Sequence, residues 1–375
     1  MIYFDHAATS FPKNPIALNA ILYAGEHFSS SARGSYPISL ETSRMLFKAR
    51  QKVCRFVGCE EGICVFTSGT TSGLNMVIQG LFHSGDHVLT TVLEHNSVLR
   101  PLYKMQEKGV EISIIDCDDE GYVSTQMIAA GIQENTKALI ITMVSNVLGT
   151  LQEIKGISKV VHQHGMILIV DGAQALGNVP ISMKELGIDI LAFSGHKGLG
   201  TPIGIGAIVM NKTYSIDPLI LGGSGFHSFD TTQPLGLPEQ LEAGSQPTEL
   251  IYALSQTIDH FSYDRYARIK TLTDYFIKQV QTIPNIRIVG RDSIGIVSID
   301  CEGFDSEEVA NKLYEDKEIC VRAGFHCAPL VHRRFNTETK GLVRFSFSIK
   351  NTFEEIDEAI LGLRQLMEEA SWKES

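Results

Sequence analysis

Short apolar runs and amphipathic stretches alternate along the first two-thirds of the chain. Ile63–Thr67, His87–Val92, Glu111–Ile115, Ala138–Met143, Ile167–Val170, Ile190–Phe193 and Ile205–Met210 are rich in Ile, Val and Leu and read as strands, most of them covered on both faces. Between them, Thr42–Val57, Gly73–Phe82 and Ile157–His164 repeat apolar residues at helical spacing. That alternation predicts an α/β fold: a mostly parallel, seven-stranded sheet with helices packed on both sides. The texture changes near Thr248. One long helical stretch to about Ile283 precedes strand-like runs at Ile286–Val289, Ile294–Asp300, Ile319–Arg322 and Leu342–Phe347, with helices over Ser306–Glu315 and from Phe353. This predicts a small α+β domain over residues 251–375, beside a large domain over 16–250 and an N-terminal segment, 1–15, that packs with the small domain near the site. The stretch Leu221–Leu237 reads as a loop with room to move.

A chain of 375 residues suits two such units and needs no covalent staple. Its formal charge of −11 argues against a chain-wide footprint for nucleic acid or an anionic membrane, while leaving room for a local anion pocket. The seven cysteines are an odd number without regular spacing, which favours reduced thiols in the cytoplasm over a disulfide framework. Asp5 and His6 stand where a signal peptide needs its apolar stretch, and no segment offers about 20 uninterrupted apolar residues.

Polar clusters fall where the strands end: Ser68-Gly69-Thr70-Thr71, Glu94-His95-Asn96, Ser145-Asn146, Asp171-Gly172-Ala173-Gln174 and Ser194-Gly195-His196-Lys197. Ligands of open α/β sheets bind beyond the carboxyl ends of the strands, so these clusters predict one site. A lysine and a carboxylate at two such ends, Lys197 and Asp171, have the chemistry that pyridoxal phosphate requires. The amine forms a Schiff base, and the carboxylate keeps the pyridine nitrogen protonated. The Ser/Thr/Gly turn opening a helix at Thr70 and Thr71, with Ser194 and His196, offers donors to a phosphate. His95 is placed to lie against a planar cofactor and to move protons. Further on, Cys327 is flanked by His326 and preceded by Arg322, a setting that favours thiolate. Arg344, a lone cation in a strand-like run, suits a substrate carboxylate. No C-x-x-C or H-E-x-x-H spacing occurs, so no metal is expected, and no G-x-G-x-x-G follows the first strand.

In this order the motifs resemble the cysteine desulfurase and selenocysteine lyase family, whose fold is that of the class V aminotransferases, a fold-type I arrangement like that of aspartate aminotransferase. The resemblance rests on Tyr3-Phe4-Asp5 with Ala7-Ala8-Thr9, Thr67-Ser68-Gly69-Thr70-Thr71, Glu94-His95-Asn96, Ser145-Asn146-Val147-Leu148-Gly149-Thr150, Val170-Asp171-Gly172-Ala173-Gln174, Phe193-Ser194-Gly195-His196-Lys197, Glu242-Ala243-Gly244-Ser245 and Arg322-Ala323-Gly324-Phe325-His326-Cys327-Ala328. The forms around Asn146, Asp171 and Cys327 are similar to the second group of these enzymes. The resemblance implies pyridoxal phosphate on Lys197, with Asp171 at the ring nitrogen, Gln174 at the ring oxygen and His95 over the ring. Thr70, Thr71, Ser194 and His196 would hold the phosphate, joined by Ser245 from the second subunit of a homodimer with shared active sites. Asn146 and Arg344 would bind the carboxylate of L-cysteine, or of L-selenocysteine, with Arg322 supporting the catalytic loop. Lys197 would act as base and Cys327 would take the sulfur as a persulfide for a protein acceptor. The neighbouring alternatives are a selenocysteine lyase or another lyase or epimerase of this fold. Phe325, His6 and Ser245 depart from the family pattern, which has a histidine, an Asn or Ser, and a threonine there.

Overall fold

A computed structural model describes residues 1–31, 34–225, 228–262 and 264–374. The chain begins with a two-residue strand, β1 (Ile2–Tyr3), and the helices α1 (Pro15–His27) and α2 (Pro37–Phe56). A βα alternation follows: β2 (Ile63–Thr67), α3 (Thr70–Leu81), β3 (His87–Thr91), α4 (Asn96–Gln106), β4 (Glu111–Ile115), α5 (Thr125–Gly131), β5 (Thr136–Thr142), α6 (Ile154–Gln163), β6 (Ile167–Asp171), α7 (Met183–Leu186), β7 (Ile190–Ser194) and β8 (Gly206–Met210). Strands β2 to β8 form one seven-stranded sheet in the order β2-β8-β7-β6-β5-β3-β4. Only β8 runs against its neighbours, pairing antiparallel with both β2 and β7. The expected mostly parallel sheet is therefore present.

The central strands are apolar runs because both of their faces are covered. Leu139 and Ile141 of β5, Leu168 and Val170 of β6, and Leu191 and Phe193 of β7 enter one core. The alternate residues Ile140, Ile169, Ile190 and Ala192 enter the other. Each such Leu, Ile or Val side chain, fully removed from water, contributes on the order of 2 kcal/mol.

After β8 the chain runs through a loop containing the stretch Leu221–Leu237, of which residues 226 and 227 lie outside the described residues. The long helix expected over 248–283 is instead two helices, α8 (Thr248–Asp259) and α9 (Arg265–Val280). Phe261 lies in the break and packs edge-on against Phe56 at 5.0 Å, which turns the chain between them. Helix α8 sends Ile251 and Leu254 into the core of the large sheet, whereas α9 sends Leu272 and Phe276 into a separate one.

That separate core lies under a three-stranded antiparallel sheet of β9 (Ile286–Val289), β10 (Ile296–Cys301) and β12 (Val343–Ser346), in the order β12-β10-β9. Helices α10 (Ser306–Lys317), α11 (Pro329–Arg334) and α12 (Phe353–Glu374) complete this part, with the short β11 (Ile319–Cys320) pairing parallel to β1. The expected strand over Ile319–Arg322 is thus shorter, although Arg322 still bridges to Arg344. The amino terminus is sewn in here as well, since Asp5 bridges to Ser346 and Phe4 is fully buried among Phe345 and Phe347. Among the described residues no helix is long and apolar enough to cross a membrane.

Candidate active site

The carboxyl ends of β5, β6 and β7 lie side by side, and register pairs Thr142 with Asp171 and Asp171 with Ala192. A cleft sits above them, lined by Thr70, Thr71, His95, Asn146, Asp171, Gln174, Ser194, His196 and Lys197 together with Ser97, Thr142 and Ala173. Five polar strand ends that are far apart in sequence therefore do converge.

Its floor is charged. Asp171, buried at the end of β6, accepts a hydrogen bond from the Ala173 N–H at 2.9 Å. Burial pushes its carboxyl up, while that N–H and the nearby Lys197 pull it back down. Burial likewise pushes the Lys197 amine down to about 8, Asp171 opposing the change, Arg344 adding to it and Cys327 opposing it. A lysine in this state is a usable base near neutral pH.

One wall is a set of hydroxyls at the start of α3. The Ser194 hydroxyl receives the Thr70 N–H at 2.7 Å and lies 2.7 Å from the Thr70 hydroxyl. The Thr71 hydroxyl meets Ser97 Oγ at 2.7 Å. Backbones approach closely at this point. A Cβ on Gly206 would stand 2.2 Å from the Phe193 carbonyl oxygen and 2.7 Å from Gly69 Cα, so β8 can pass under the turn only as glycine. Hydroxyls, an imidazole at His196 and a helix amino terminus together form a donor set suited to a phosphate.

Two imidazoles flank the floor. His95 caps α4, its Nδ1 accepting from the Ser97 N–H at 3.0 Å. Burial pushes it down to about 4, and the charges of Lys197 and Arg344 push the same way. His196 is lowered to about 4 by burial and by Lys197, and its Nδ1 lies 3.0 Å from the Thr9 hydroxyl. Both rings are neutral at physiological pH. Gln174 donates to the Ala7 carbonyl at 3.0 Å, tying the amino-terminal segment to the cavity edge.

The thiol lies outside the cavity lining, in the loop between β11 and α11. His326 and Cys327 both adopt left-handed backbone, with φ of 49° and 57°, although neither is glycine. Their carbonyls are clamped: the Asn146 side-chain N–H donates to that of His326 at 2.7 Å, and the Asn96 N–H donates to that of Cys327 at 2.7 Å. Cys327 is the exposed thiol, whereas Cys54, Cys64, Cys117 and Cys301 are buried. Behind it, the His326 and His332 rings stack with centroids 6.0 Å apart, and Phe325 meets His332 edge-on at 5.3 Å.

Arg344, buried on β12, donates to the Asn146 carbonyl at 3.0 Å and pairs with Asp5 at 3.0 Å, leaving its buried Nε without a partner among the described residues. Arg322 is more exposed and lies 3.6 Å from the other Asp5 oxygen. Ser245 is exposed and does not line the cavity of its own chain.

Residues 2–359 match the family model described as aminotransferase class V. The chain belongs to the class V aminotransferase family. This family member is 32% identical over 367 residues to a probable cysteine desulfurase of Methanothermobacter thermautotrophicus, covering 95% of this chain and 92% of that one. It is 31% identical to a probable cysteine desulfurase of Pyrococcus abyssi over 98% and 94% of the two chains. Among solved structures, the apo cysteine desulfurase of Thermococcus onnurineus superposes with a TM-score of 0.91 at 29% identity, over 98% of this chain and 94% of that one. The desulfurase CsdA (S-sulfonic acid) of Escherichia coli gives 0.86 at 26% identity, with the same coverage. Enzymes of this family depend on pyridoxal phosphate, and the donor set and charged floor fit that group.

Several residues that shape this class V site were given no role from the sequence, although Asp5 and Glu94 stand within its motifs. Asp5 holds Arg344 across 339 positions. Ser97 links His95 to Thr71. Glu94, fully buried, accepts from the Thr91 hydroxyl at 2.7 Å and the Thr142 N–H at 3.0 Å, joining the ends of β3 and β5. Burial pushes its carboxyl up to about 8, against those two bonds. Its place beside His95 was the one available hint.

Proposed function

We propose that this chain is a pyridoxal-phosphate-dependent cysteine desulfurase that converts L-cysteine to L-alanine and leaves the sulfur on Cys327 as a persulfide, for onward transfer to an acceptor. The observation that carries this reading is the convergence at Asn146, which lines the cavity with Lys197 and Asp171, accepts from Arg344 through its carbonyl and holds the backbone beside Cys327 through its amide. A cofactor base, a carboxylate-binding cation and a nucleophile would thus meet at the Asn146 edge of the cavity, which Lys197 lines and Arg344 and Cys327 do not.

Pyridoxal phosphate, when bound, supplies an electron sink for charge developing at the substrate α-carbon. Lys197 would be its attachment point, Asp171 the partner of its ring nitrogen, Gln174 a donor to its ring oxygen and His95 the ring against its face. Thr70, Thr71, Ser194 and His196 would take the phosphate. Arg344, with its spare Nε beside Asn146, would hold the substrate carboxylate, and Arg322 would steady the thiol loop through Asp5. Lys197, displaced by the substrate amine, would take the α-proton.

Cys327 would then attack the substrate sulfur. An S–S bond forms as the Cβ–S bond breaks, its electron pair passes to carbon, and protonation gives the methyl group of alanine. Cysteine plus enzyme thiol becomes alanine plus enzyme persulfide, so no external oxidant is needed. A homodimer suits the exposed apolar side chains Leu22 on α1 and Phe47 on α2, and would let Ser245 reach the partner's phosphate. Seven free thiols suit a reducing cytoplasm.

The test is to incubate the yellow holoenzyme with L-cysteine and a reductant, and to measure alanine and sulfide. Wild type is expected to form both, and Lys197→Ala neither. A colourless protein with no alanine formed would overturn the reading; turnover of L-selenocysteine alone would favour the lyase.

A further inference from the structure

Helix α9 belongs to the second core, where its Leu272 and Phe276 are buried and its Thr273 hydroxyl receives the Gly295 N–H at 3.0 Å. Its first residue, however, reaches the other way. The Arg265 Nε donates to the carbonyl of Gly177 at 3.0 Å and its terminal nitrogen to the carbonyl of Gly198 at 2.8 Å. Gly198 directly follows Lys197. Gly177 closes the tight turn that starts at Asp171, in which Ala175 and Leu176 both donate to the Gly172 carbonyl. A single planar fork therefore holds both strand-end loops, the one bearing the carboxylate and the one bearing the amine.

The two loops touch at the point where they are gripped. A Cβ on Gly198 would stand 2.2 Å from the Leu176 carbonyl oxygen, and one on Gly177 would stand 2.6 Å from the Gly198 carbonyl carbon. Neither loop can move far without the other. Among the described residues no carboxylate pairs with Arg265; its guanidinium lies 5.5 Å from the centre of the Phe261 ring, in the break between α8 and α9. Arg265 also lines a second, smaller cavity with Lys197, Gln174 and His6. Its two hydrogen bonds go to backbone carbonyls rather than to a carboxylate.

We propose that Arg265 is a positioning residue that sets the spacing of the Asp171 and Lys197 loops from the second unit. A fork with two donors in fixed geometry can span two carbonyls, whereas a lysine carries its donors on one point. Lys197 is faced by Asp171 from β6, by Arg344 from β12 and by Cys327, with His95 and His196 alongside. Loosening the Lys197 loop admits water to the amine and returns it toward the ordinary lysine range.

The readout is the pH dependence of Lys197 arylation by fluorodinitrobenzene in the cofactor-free protein, followed by peptide mass spectrometry, in wild type, Arg265→Met and Arg265→Lys. Folding is checked by circular dichroism. Both variants are expected to shift the labelling midpoint upward, so that at pH 8 the rate falls about fivefold for a shift of about one pH unit. If Arg265→Met fails to fold, Arg265→Lys decides alone. Labelling profiles that match wild type overturn the proposal, and so does a shift in Arg265→Met that Arg265→Lys fully restores, because charge rather than the fork would then be the cause. Desulfurase kinetics form a second arm, which rests on the function proposed above: kcat should fall while KM for cysteine holds. The labelling arm does not rest on that reading, so the two can fail separately.

Discussion

The carbonyl of Cys327 accepts a hydrogen bond of 2.7 Å from the backbone N–H of Asn96, the residue that follows His95. The thiol loop between β11 and α11 is thereby tied to the capped start of α4. Thiol and imidazole are registered to one another through backbone, so substitution of either side chain leaves the tether intact.

That separation makes Cys327→Ala a clean variant. It should fold as wild type and keep its bound cofactor, yet lose cysteine-dependent alanine formation by about a hundredfold or more, since the proposed nucleophile is gone. Alanine quantified by amino-acid analysis checks this. Turnover of L-selenocysteine by the same variant should survive better, because selenium can leave without the enzyme thiol.

Asn146 holds the neighbouring carbonyl, that of His326, with its side-chain amide. Asn146→Ala removes a buried hydrogen bond from a segment in left-handed backbone, at a cost of about 1 to 3 kcal/mol to the gripped loop. Cys327 should then alkylate faster with iodoacetamide while kcat for cysteine falls about tenfold. An unchanged alkylation rate would remove Asn146 from the role of latch.

His6, His95 and His196 are each pushed by burial to about 4. An unfolded histidine titrates near 6.5, so between pH 6.5 and 4 the unfolded chain binds more protons than the folded one, and stability falls as the pH falls through that window. The cofactor-free protein should melt at progressively lower temperature across it. His6→Asn should flatten the slope, because that ring is buried and its Nδ1 has no partner among the described residues. Differential scanning calorimetry at intervals of half a pH unit checks both.

A homodimer predicts two chains per particle by light scattering. Phe47→Glu places a charge on an exposed apolar position of α2 and should shift the protein toward monomer. If Ser245 completes the partner's phosphate site, the same variant should also lose pyridoxal phosphate more readily on dialysis.

How much could be read beforehand depended on what covered each segment. The buried strands were legible to within a residue or two because, with both faces covered, a strand has to be an apolar run. Helix α1 gave no pattern, since its buried positions are the alanines Ala17, Ala20 and Ala24, and α4 was masked by an internal proline, Pro101. The break between α8 and α9 was hidden because the apolar spacing continues through Phe261, which packs on the core of α8 while α9 turns to another. At the site, side chains that act by their own chemistry, such as Lys197 and Asp171, stand out at strand ends. Asp5 and Asn96 do not, because one acts as a counter-charge across most of the chain and the other through its main chain.

The left-handed pair at His326 and Cys327 has a consequence for turnover. Two residues with side chains sit in backbone that costs about 1 to 2 kcal/mol each, and the clamps from Asn146 and Asn96 hold them there. The loop is in effect a spring kept under tension by two catches. Releasing them repays part of the work of opening, so under the proposed function a persulfide on Cys327 would swing outward to its acceptor at small net cost, with re-cocking left to the empty enzyme.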